Sequence, residues 1–103
     1  MAREQFQTLS EPMYYILLSL LEECCGVDIM EKVKKISGGR VSVGPGTVYT
    51  LLARFEENEM IHETKREGKK RWYVITQRGR VQLLNETLRL KQMLLDGKTG
   101  GLL

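Results

Sequence analysis

Residues 44–58 have apolar positions at helical spacing, and the rest of the chain is organised around this stretch. Apolar residues at i, i+3, i+4 and i+7 predict an amphipathic helix with one buried face. Pro45 suits the first turn, because its missing N–H is not needed there, and Ser42 or Gly44 is the predicted N-cap. The buried stripe consists of Val48, Leu51, Leu52 and Phe55.

The opposite face of this helix carries short polar side chains at its N-terminal end, where Thr47 and Thr50 precede Arg54 and Glu57. Tyr49 lies at the border of the two faces, where it can either contact a phosphate through its hydroxyl or cover the edge of the core. Short side chains let a helix approach a grooved partner closely. We interpret this face as one that enters the major groove of DNA and contacts base edges and phosphates.

Two further helices are predicted before this one, after a short polar segment at residues 1–9. Residues 10–25 begin with Ser10 as N-cap and are apolar on more than one face, and Gly26 is expected to stop the helix in a left-handed conformation. Residues 27–36 follow, with outward lysines, and a Ser-Gly-Gly run ends them. Two helices joined by a short glycine-containing turn predict a helix-turn-helix.

Residues 60–67 and 70–75 are rich in β-branched and aromatic residues and predict two strands joined by a turn at Gly68. A basic hairpin directly after a helix-turn-helix is a wing, which can reach the DNA backbone beside the third helix. Trp72, the single tryptophan, is predicted to pack the hairpin against the core. The cations of the predicted wing are Lys65, Arg66, Lys69, Lys70 and Arg71.

Thr76 is predicted to cap a last helix over residues 77–95, whose apolar stripe has no core left to cover. The first helix also has a spare apolar face, and a helix that is apolar on two sides is buried on two sides. We therefore predict that these surfaces meet between two subunits; the alternative is a first helix wrapped fully within one core. The predicted dimer surface comprises Tyr14, Leu18, Leu21, Val81, Leu84, Leu88 and Leu95.

Composition limits the class of protein. The chain has 103 residues, 42% hydrophobic and 28% charged, which suits one small globular unit. No apolar run reaches the roughly 20 residues of a membrane span, and the polar start does not resemble a signal peptide, so a cytoplasmic location is expected. Residues 32–71 carry ten Lys or Arg and five Glu. A basic middle of this kind is typical of proteins that bind nucleic acid.

The sequence contains no recognisable constellation for catalysis or metal binding. His62 is the single histidine, and Cys24 and Cys25 are adjacent in the predicted first helix without further ligands at metal spacing. Buried thiols are the expectation for this pair, with redox sensing as the alternative. No nucleophile–base pair, paired carboxylates or phosphate-binding loop is present. We predict no enzymatic activity, no cofactor and no metal.

The order and lengths of the elements resemble those of the PadR family of transcriptional regulators. The resemblance implies a winged helix-turn-helix repressor of the shorter PadR subfamily, which binds a pseudo-palindromic operator as a homodimer. It is compatible with release of the operator by a small-molecule inducer. Asn58 stands near a position where the family pattern has Gly, and Asn tolerates the left-handed conformation of such a turn. The motifs that carry the resemblance are Gly-Pro-Gly-Thr-Val-Tyr at 44–49, Leu-Leu at 51–52, the run at 55–61, Arg-Trp-Tyr-Val-Ile-Thr at 71–76 and Arg-Gly-Arg at 78–80.

The predicted fold is therefore mainly α with a small β-hairpin (α+β), a winged helix-turn-helix with an added C-terminal dimerisation helix. Residues 1–76 are assigned to the DNA-binding domain, 77–96 to the dimerisation helix and 97–103 to a flexible tail. The predicted partners are double-stranded DNA and a second copy of the chain. The alternative function is a winged-helix module that binds protein without reading DNA sequence. Besides the wing cations, the predicted DNA contacts are Ser42, Gly46, Thr47, Tyr49, Thr50 and Arg54.

Overall fold

Four helices and a three-stranded sheet make up the part of the chain that the computed structural model describes, residues 8–103. Most of the predicted polar segment at residues 1–9 lies outside the described residues. The class α+β is confirmed, and the antiparallel sheet has the order β1-β3-β2. In chain order the elements are α1 (Glu11–Ser19), β1 (Cys24–Cys25), a 3₁₀ turn (Gly26–Asp28), α2 (Ile29–Ile36), α3 (Pro45–Glu57), β2 (Ile61–Glu67), β3 (Lys70–Ile75) and α4 (Gln77–Thr99).

The core lies between the first three helices and one face of the sheet. Ile16 of α1 and Phe55 of α3 are fully buried in it. The predicted buried stripe on α3 is confirmed, with Leu51 only partly covered. Tyr73 and Ile75 alternate along β3 and close the core from the sheet side, because side chains two positions apart on a strand share a face.

The first helix ends earlier than predicted. Ser10 caps α1 as expected, but the helix stops at Ser19, and Cys24–Cys25 form an edge strand against β3. Gly26 opens a 3₁₀ turn and has no positive φ, so the predicted left-handed stop at this glycine is wrong. Pairing with β3 gives the backbone of this segment long-range hydrogen-bond partners, which the local sequence pattern does not indicate.

The turn after α3 takes its left-handed residue one position later than predicted. Asn58 has φ −90°, whereas Glu59 has φ 59°. Asn58 instead donates its side-chain amide to the carbonyl oxygen of Arg54 at 2.8 Å. The start of α4 holds the turn, because the Thr76 hydroxyl donates to Glu59 O at 2.7 Å and the Thr76 N–H donates to Met60 O at 2.9 Å. These bonds fix the end of α3 against α4.

The hairpin of β2 and β3 has the predicted turn but an irregular register, because Thr64 forms a bulge. Glu63 pairs with Tyr73 before the bulge, and Lys65 pairs with Trp72 after it. Since Tyr73 faces the core, Trp72 points to the opposite face, where the Lys65 ammonium lies 4.7 Å from the ring centroid. The prediction that Trp72 packs the hairpin on the core is wrong, and Tyr73 takes that place.

The last helix covers the core only with its N-terminal half. Gly79, Leu83 and Glu86 are its buried residues, and the helix continues to Thr99, through residues that the prediction placed in the C-terminal tail. Glu86 accepts hydrogen bonds from Leu9 N at 3.3 Å and from the Arg89 guanidinium at 2.7 and 2.8 Å. Within residues 8–103, no helix is both long and apolar enough to cross a membrane.

Candidate nucleic-acid interface

The N-terminal half of α3 presents an open polar surface. Gly44 is its N-cap and Pro45 its first residue, as predicted. Because glycine has no side chain to accept from the first-turn N–H groups, these donors remain directed toward solvent or toward an anion. The side chains of Thr47 and Thr50 are exposed, and Tyr49 retains 49% of its accessible surface.

Two clefts flank this surface. On one side, a shallow cleft of about 370 Å³ separates Thr47 and Thr50 from Ser10 and Pro12 at the start of α1. On the other side, Tyr49 lines a smaller cleft of about 70 Å³ together with the wing. The exposed face of α3 therefore lies between the start of α1 and the tip of the wing. Residues lining the second cleft include Gly26, Val27, Lys69 and Lys70.

The five predicted wing cations fall into two groups. Lys69 and Lys70 lie at the tip, are exposed, and form no ion pair within the described part of the chain. The other three have carboxylate partners inside the protein. Lys65 pairs with Glu67 at 3.3 Å, Arg66 pairs with Glu63 at 2.9 Å, and Arg71 pairs with Glu63 and Glu56.

Arg71 connects the wing to α3. Its Nε donates to Glu63 of β2, and its terminal nitrogen lies 3.3 Å from both carboxylate oxygens of Glu56 on α3. The guanidinium carbon lies 5.2 Å from the ring centroid of Tyr73. Hydrogen bonds from Arg66 and Arg71 lower the pKa of the Glu63 carboxyl, and the bond to Glu63 raises the pKa of Arg71. Both shifts favour the charged forms, which these two groups already have at neutral pH at their ordinary pKa values.

The predicted DNA contacts outside the wing lie on α3 and in the loop before it. Those on α3 share its exposed N-terminal half, and Ser42 is exposed in the loop before it. Arg54 is half-buried further along the helix. No comparison tests these contacts, which stay predictions. The clefts add the flanking residues Ser10, Pro12 and Gly26. The sequence signals at Ser10 and Gly26 indicate helix ends and not an interface, because only the tertiary packing brings them beside α3.

The predicted dimer residues surround a groove on the surface of the chain. Leu18, Leu21, Val81 and Leu84 line an apolar groove of about 400 Å³ between α1 and α4. The Tyr14 hydroxyl lies 2.7 Å from the Thr87 hydroxyl, so α1 and α4 also pack within one chain. Leu88 and Leu95 remain 53% and 44% exposed.

A second apolar stripe on α4 was missed by the prediction. Leu90, Met93 and Leu94 are exposed, yet helical spacing puts them on the same face as Leu83 and Glu86, which cover the core. The face that packs on the chain's own core therefore continues beyond the edge of that core. Spacing of i+3, i+4 and i+7 from Glu86 and Leu83 is the signal that could have revealed the stripe.

The remaining chemistry-bearing groups form no constellation in the described residues. Across residues 8–103, no three His, Cys, Asp or Glu side chains are placed to hold a metal ion. Cys24 and Cys25 are buried free thiols, and burial raises the pKa of Cys24. A raised pKa keeps this thiol protonated and weakly reactive at neutral pH.

Comparison with known proteins identifies a family of regulators. The sequence model described as the Transcriptional regulator PadR-like family matches residues 16–85. A PadR family transcription regulator from Clostridium difficile has a similar structure, with 19% identity, a TM-score of 0.66, and coverage of 84% of this chain and 95% of that chain. RosR of H. salinarum gives 16% identity, a TM-score of 0.65 and coverage of 91% and 97%.

A third similar structure belongs to a protein whose control by a ligand is named. BpsR of Bordetella bronchiseptica has 19% identity and a TM-score of 0.65, with coverage of 94% of this chain and 65% of that chain. Its structure is described as showing how 6-hydroxynicotinic acid regulates DNA binding by BpsR. No curated protein matches the sequence.

Proposed function

The chain belongs to the PadR-like family of transcriptional regulators, and we propose that it acts in the cytoplasm by binding operator DNA through α3 and the tip of its wing. The family consists of transcriptional regulators and not of enzymes, in agreement with the sequence prediction. In this proposal Thr47 and Thr50 contact base edges in the major groove, and Lys69 and Lys70 contact phosphates.

The observation that carries the proposal is the pairing of an open helix end with free cations. The exposed N-terminal half of α3 has no acidic residue in its first turn, and Lys69 and Lys70 border the same cleft as Tyr49. An uncapped helix start and two unpaired ammonium groups on one side of a small protein suit a polyanion. A groove-sized helix beside them suits duplex DNA in particular.

We further propose that the protein acts as a homodimeric repressor. Two apolar stripes on α4 are exposed in the single chain, and Leu88 and Leu94 within them are more than half exposed. Contiguous exposed apolar surface marks an interaction site. A two-fold dimer built on α4 presents two copies of α3 to DNA. A pseudo-palindromic operator with half-sites roughly 34–36 Å apart would match that symmetry, and occupation of such a site blocks transcription.

We also propose that a small molecule regulates the protein. A cleft of about 320 Å³ between α1 and α4 is lined by aromatic and charged side chains, among them Tyr15, Arg40, Glu86 and Arg89. Control of BpsR by 6-hydroxynicotinic acid supports testing aromatic acids as ligands. Such a ligand should raise the melting temperature of the protein and lower its affinity for the operator.

The decisive experiment combines selection with salt titration. Randomised duplexes are enriched on the purified protein, and the affinity for the selected and a scrambled duplex is measured by fluorescence anisotropy at several salt concentrations. We expect the selected duplexes to contain an inverted repeat. The logarithm of the binding constant should fall with the logarithm of the salt concentration, with a slope near −0.9 for each phosphate contact. A protein-binding module without DNA recognition predicts no enriched sequence and a slope near zero, and that result would reject the proposed function.

A further inference from the structure

We propose that Arg71 is a positioning residue, which fixes the wing against α3, and not a phosphate contact like the lysines beside it. This inference rests on the proposed DNA binding. The sequence alone places Arg71 with Lys69 and Lys70 in one basic run. The structure separates it from them, because its guanidinium is directed at two carboxylates of the protein.

The position of Glu56 on α3 shows which two elements the Arg71 ion pair joins. Glu56 lies in the last turn of α3, about 15 Å along the helix from Gly46, at a rise of about 1.5 Å per residue. Tyr49 and Glu56 are seven residues apart and therefore lie on the same side of α3. That side meets the wing twice, with Tyr49 beside the tip and Glu56 bound to Arg71. The ion pair thus sets the distance between the wing tip and the DNA-facing end of α3.

The bulge in β2 places a second arginine, Arg66, beside this ion pair. With the extra residue at Thr64, Arg66 and not Lys65 is the register partner of Arg71. Glu63 and Arg66 then share one face of the sheet with Arg71, since a bulge reverses the alternation of side chains after it. The side chains of Arg71, Glu56 and Glu63 are 38%, 36% and 25% exposed, so the group is partly desolvated.

The same carboxylates make Arg71 a poor phosphate ligand. A DNA phosphate would have to displace Glu56 or Glu63 from the guanidinium, and either carboxylate would then repel it. Lys69 and Lys70 have no such neighbours bound to them in the described residues. Two flexible ammonium groups at the tip are free to contact phosphates, while the planar guanidinium of Arg71 suits fixed carboxylates.

The two roles predict opposite effects of removing the carboxylate. If Arg71 contacts phosphate, Glu56→Gln frees it and removes a negative charge near DNA, and affinity should rise. If Arg71 positions the wing, Glu56→Gln should lower affinity for all duplexes by about two- to fivefold. Glu57→Gln is the matched control, because Glu57 is exposed, adjacent and without an ion pair in the described residues. It should leave affinity unchanged or raise it slightly.

A double-mutant cycle and a charge exchange complete the test. Arg71→Ala should lower affinity at least as much as Glu56→Gln, because it also removes the bond to Glu63. Combining the two changes should cost little more than Arg71→Ala alone, because the link to Glu56 is then already broken. Arg71→Lys should keep more affinity than Arg71→Ala. The exchange of Glu56→Arg with Arg71→Glu should bind more tightly than Arg71→Glu alone, in which the new carboxylate faces both Glu56 and Glu63. A rise in affinity with Glu56→Gln, or additive losses, would overturn the proposal.

A measurement without DNA separates this inference from the proposed function. Amide hydrogen exchange of β2 and β3 should speed up in Glu56→Gln but not in Glu57→Gln, because only the former releases the hairpin from α3. If the wild-type protein binds no DNA, the proposed function fails, and with it the consequence for affinity. Unchanged exchange in Glu56→Gln would show that the ion pair does not hold the wing and would overturn the positioning role by itself.

Discussion

Gly79 of α4 lies so close to Met60 that a Cβ atom at this position would overlap the Met60 carbonyl oxygen and lie 2.7 Å from Cγ1 of Ile75. The same carbonyl accepts the N–H of Thr76. Backbone, and not a flexible side chain, is therefore the obstacle. We expect Gly79→Ala to reduce the free energy of unfolding by about 1–3 kcal/mol, despite the better helix propensity of alanine.

Gly97→Ala is the matched control for this prediction. Gly97 lies in the same helix, and a Cβ atom there meets nothing within 4 Å. Within the single chain only propensity acts at this site, so the substitution should stabilise the fold of the subunit by up to about 0.5 kcal/mol. Urea denaturation at one protein concentration checks both variants. Equal effects of the two substitutions would show that α4 does not approach Met60 this closely.

Replacing Lys69 and Lys70 with Ala should weaken binding to every duplex. Phosphate contacts carry no sequence information, so operator and scrambled DNA should lose affinity alike, and the log–log salt slope should flatten by up to about 1.8. Anisotropy titrations at several salt concentrations measure this. The double Lys→Arg variant should keep the slope, and an unchanged slope in the alanine variant would remove the wing tip from the interface.

Thr50→Ala should affect the operator more than other DNA. Thr50 is exposed on α3 and borders the cleft facing the start of α1, where a hydroxyl can bond a base edge and a methyl can contact thymine. We expect a loss of about 1 kcal/mol on the operator and a smaller loss on a scrambled duplex. Thr99→Ala, at the far end of α4, should change neither affinity. Equal losses on both duplexes would limit Thr50 to contacts with the backbone.

The combined change Leu84→Asp with Leu88→Asp should dissociate the proposed dimer. These side chains are 57% and 53% exposed in the single chain, and the proposed partner subunit would bury them. A charge at either position would then be buried in an apolar interface, which is strongly unfavourable. The subunit should remain folded by circular dichroism, while light scattering reports a monomer. Operator affinity should fall steeply, because two half-site contacts are no longer linked.

Leu102→Asp with Leu103→Asp provides the control for the dimer variant. Both leucines are strongly exposed beyond the end of α4, and the change in charge is the same. We expect a dimer with wild-type affinity. Wild-type protein that is monomeric at micromolar concentration and still binds the operator tightly would contradict the dimeric account.

Stability toward acid should depend on Glu86. Hydrogen bonds from Arg89 hold the pKa of this buried carboxyl below its ordinary value of about 4.5. A carboxyl with a lowered pKa stabilises the folded state above the pKa that it has when unfolded, and this contribution is lost as pH falls through the folded value. Wild-type and Glu86→Gln should therefore differ most in unfolding free energy at neutral pH and converge below about pH 4.5.

A second carboxyl with a lowered pKa provides a comparison for Glu86. Glu63 is also held by arginines, but it lies on the wing and is 25% exposed. Its Glu63→Gln variant should show a smaller difference, because solvent screens the ion pairs. Urea denaturation between neutral pH and about pH 3 measures both differences. A constant gap between wild type and Glu86→Gln across this range would contradict the assignment.

The sequence by itself determined the local elements and the family. Apolar spacing predicted the buried face of α3 and the position of α4, and Gly68 with its flanking β-formers predicted the hairpin, because these signals lie within a few neighbouring residues. The basic run at 65–71 was equally visible. Its residues could not be divided by role from the sequence, since a cation's partner is set by distance in space and not by its neighbours in the chain.

Only the tertiary structure decided the features that depend on distant segments. Cys24–Cys25 became a strand because β3 lies beside them, and Trp72 faces away from the core because the register of the hairpin gives that side to Tyr73. Arg71 meets Glu56 across fifteen residues of sequence. Long-range hydrogen bonds, pleat register and ion pairs between elements each need the packed fold, so no local pattern could predict them.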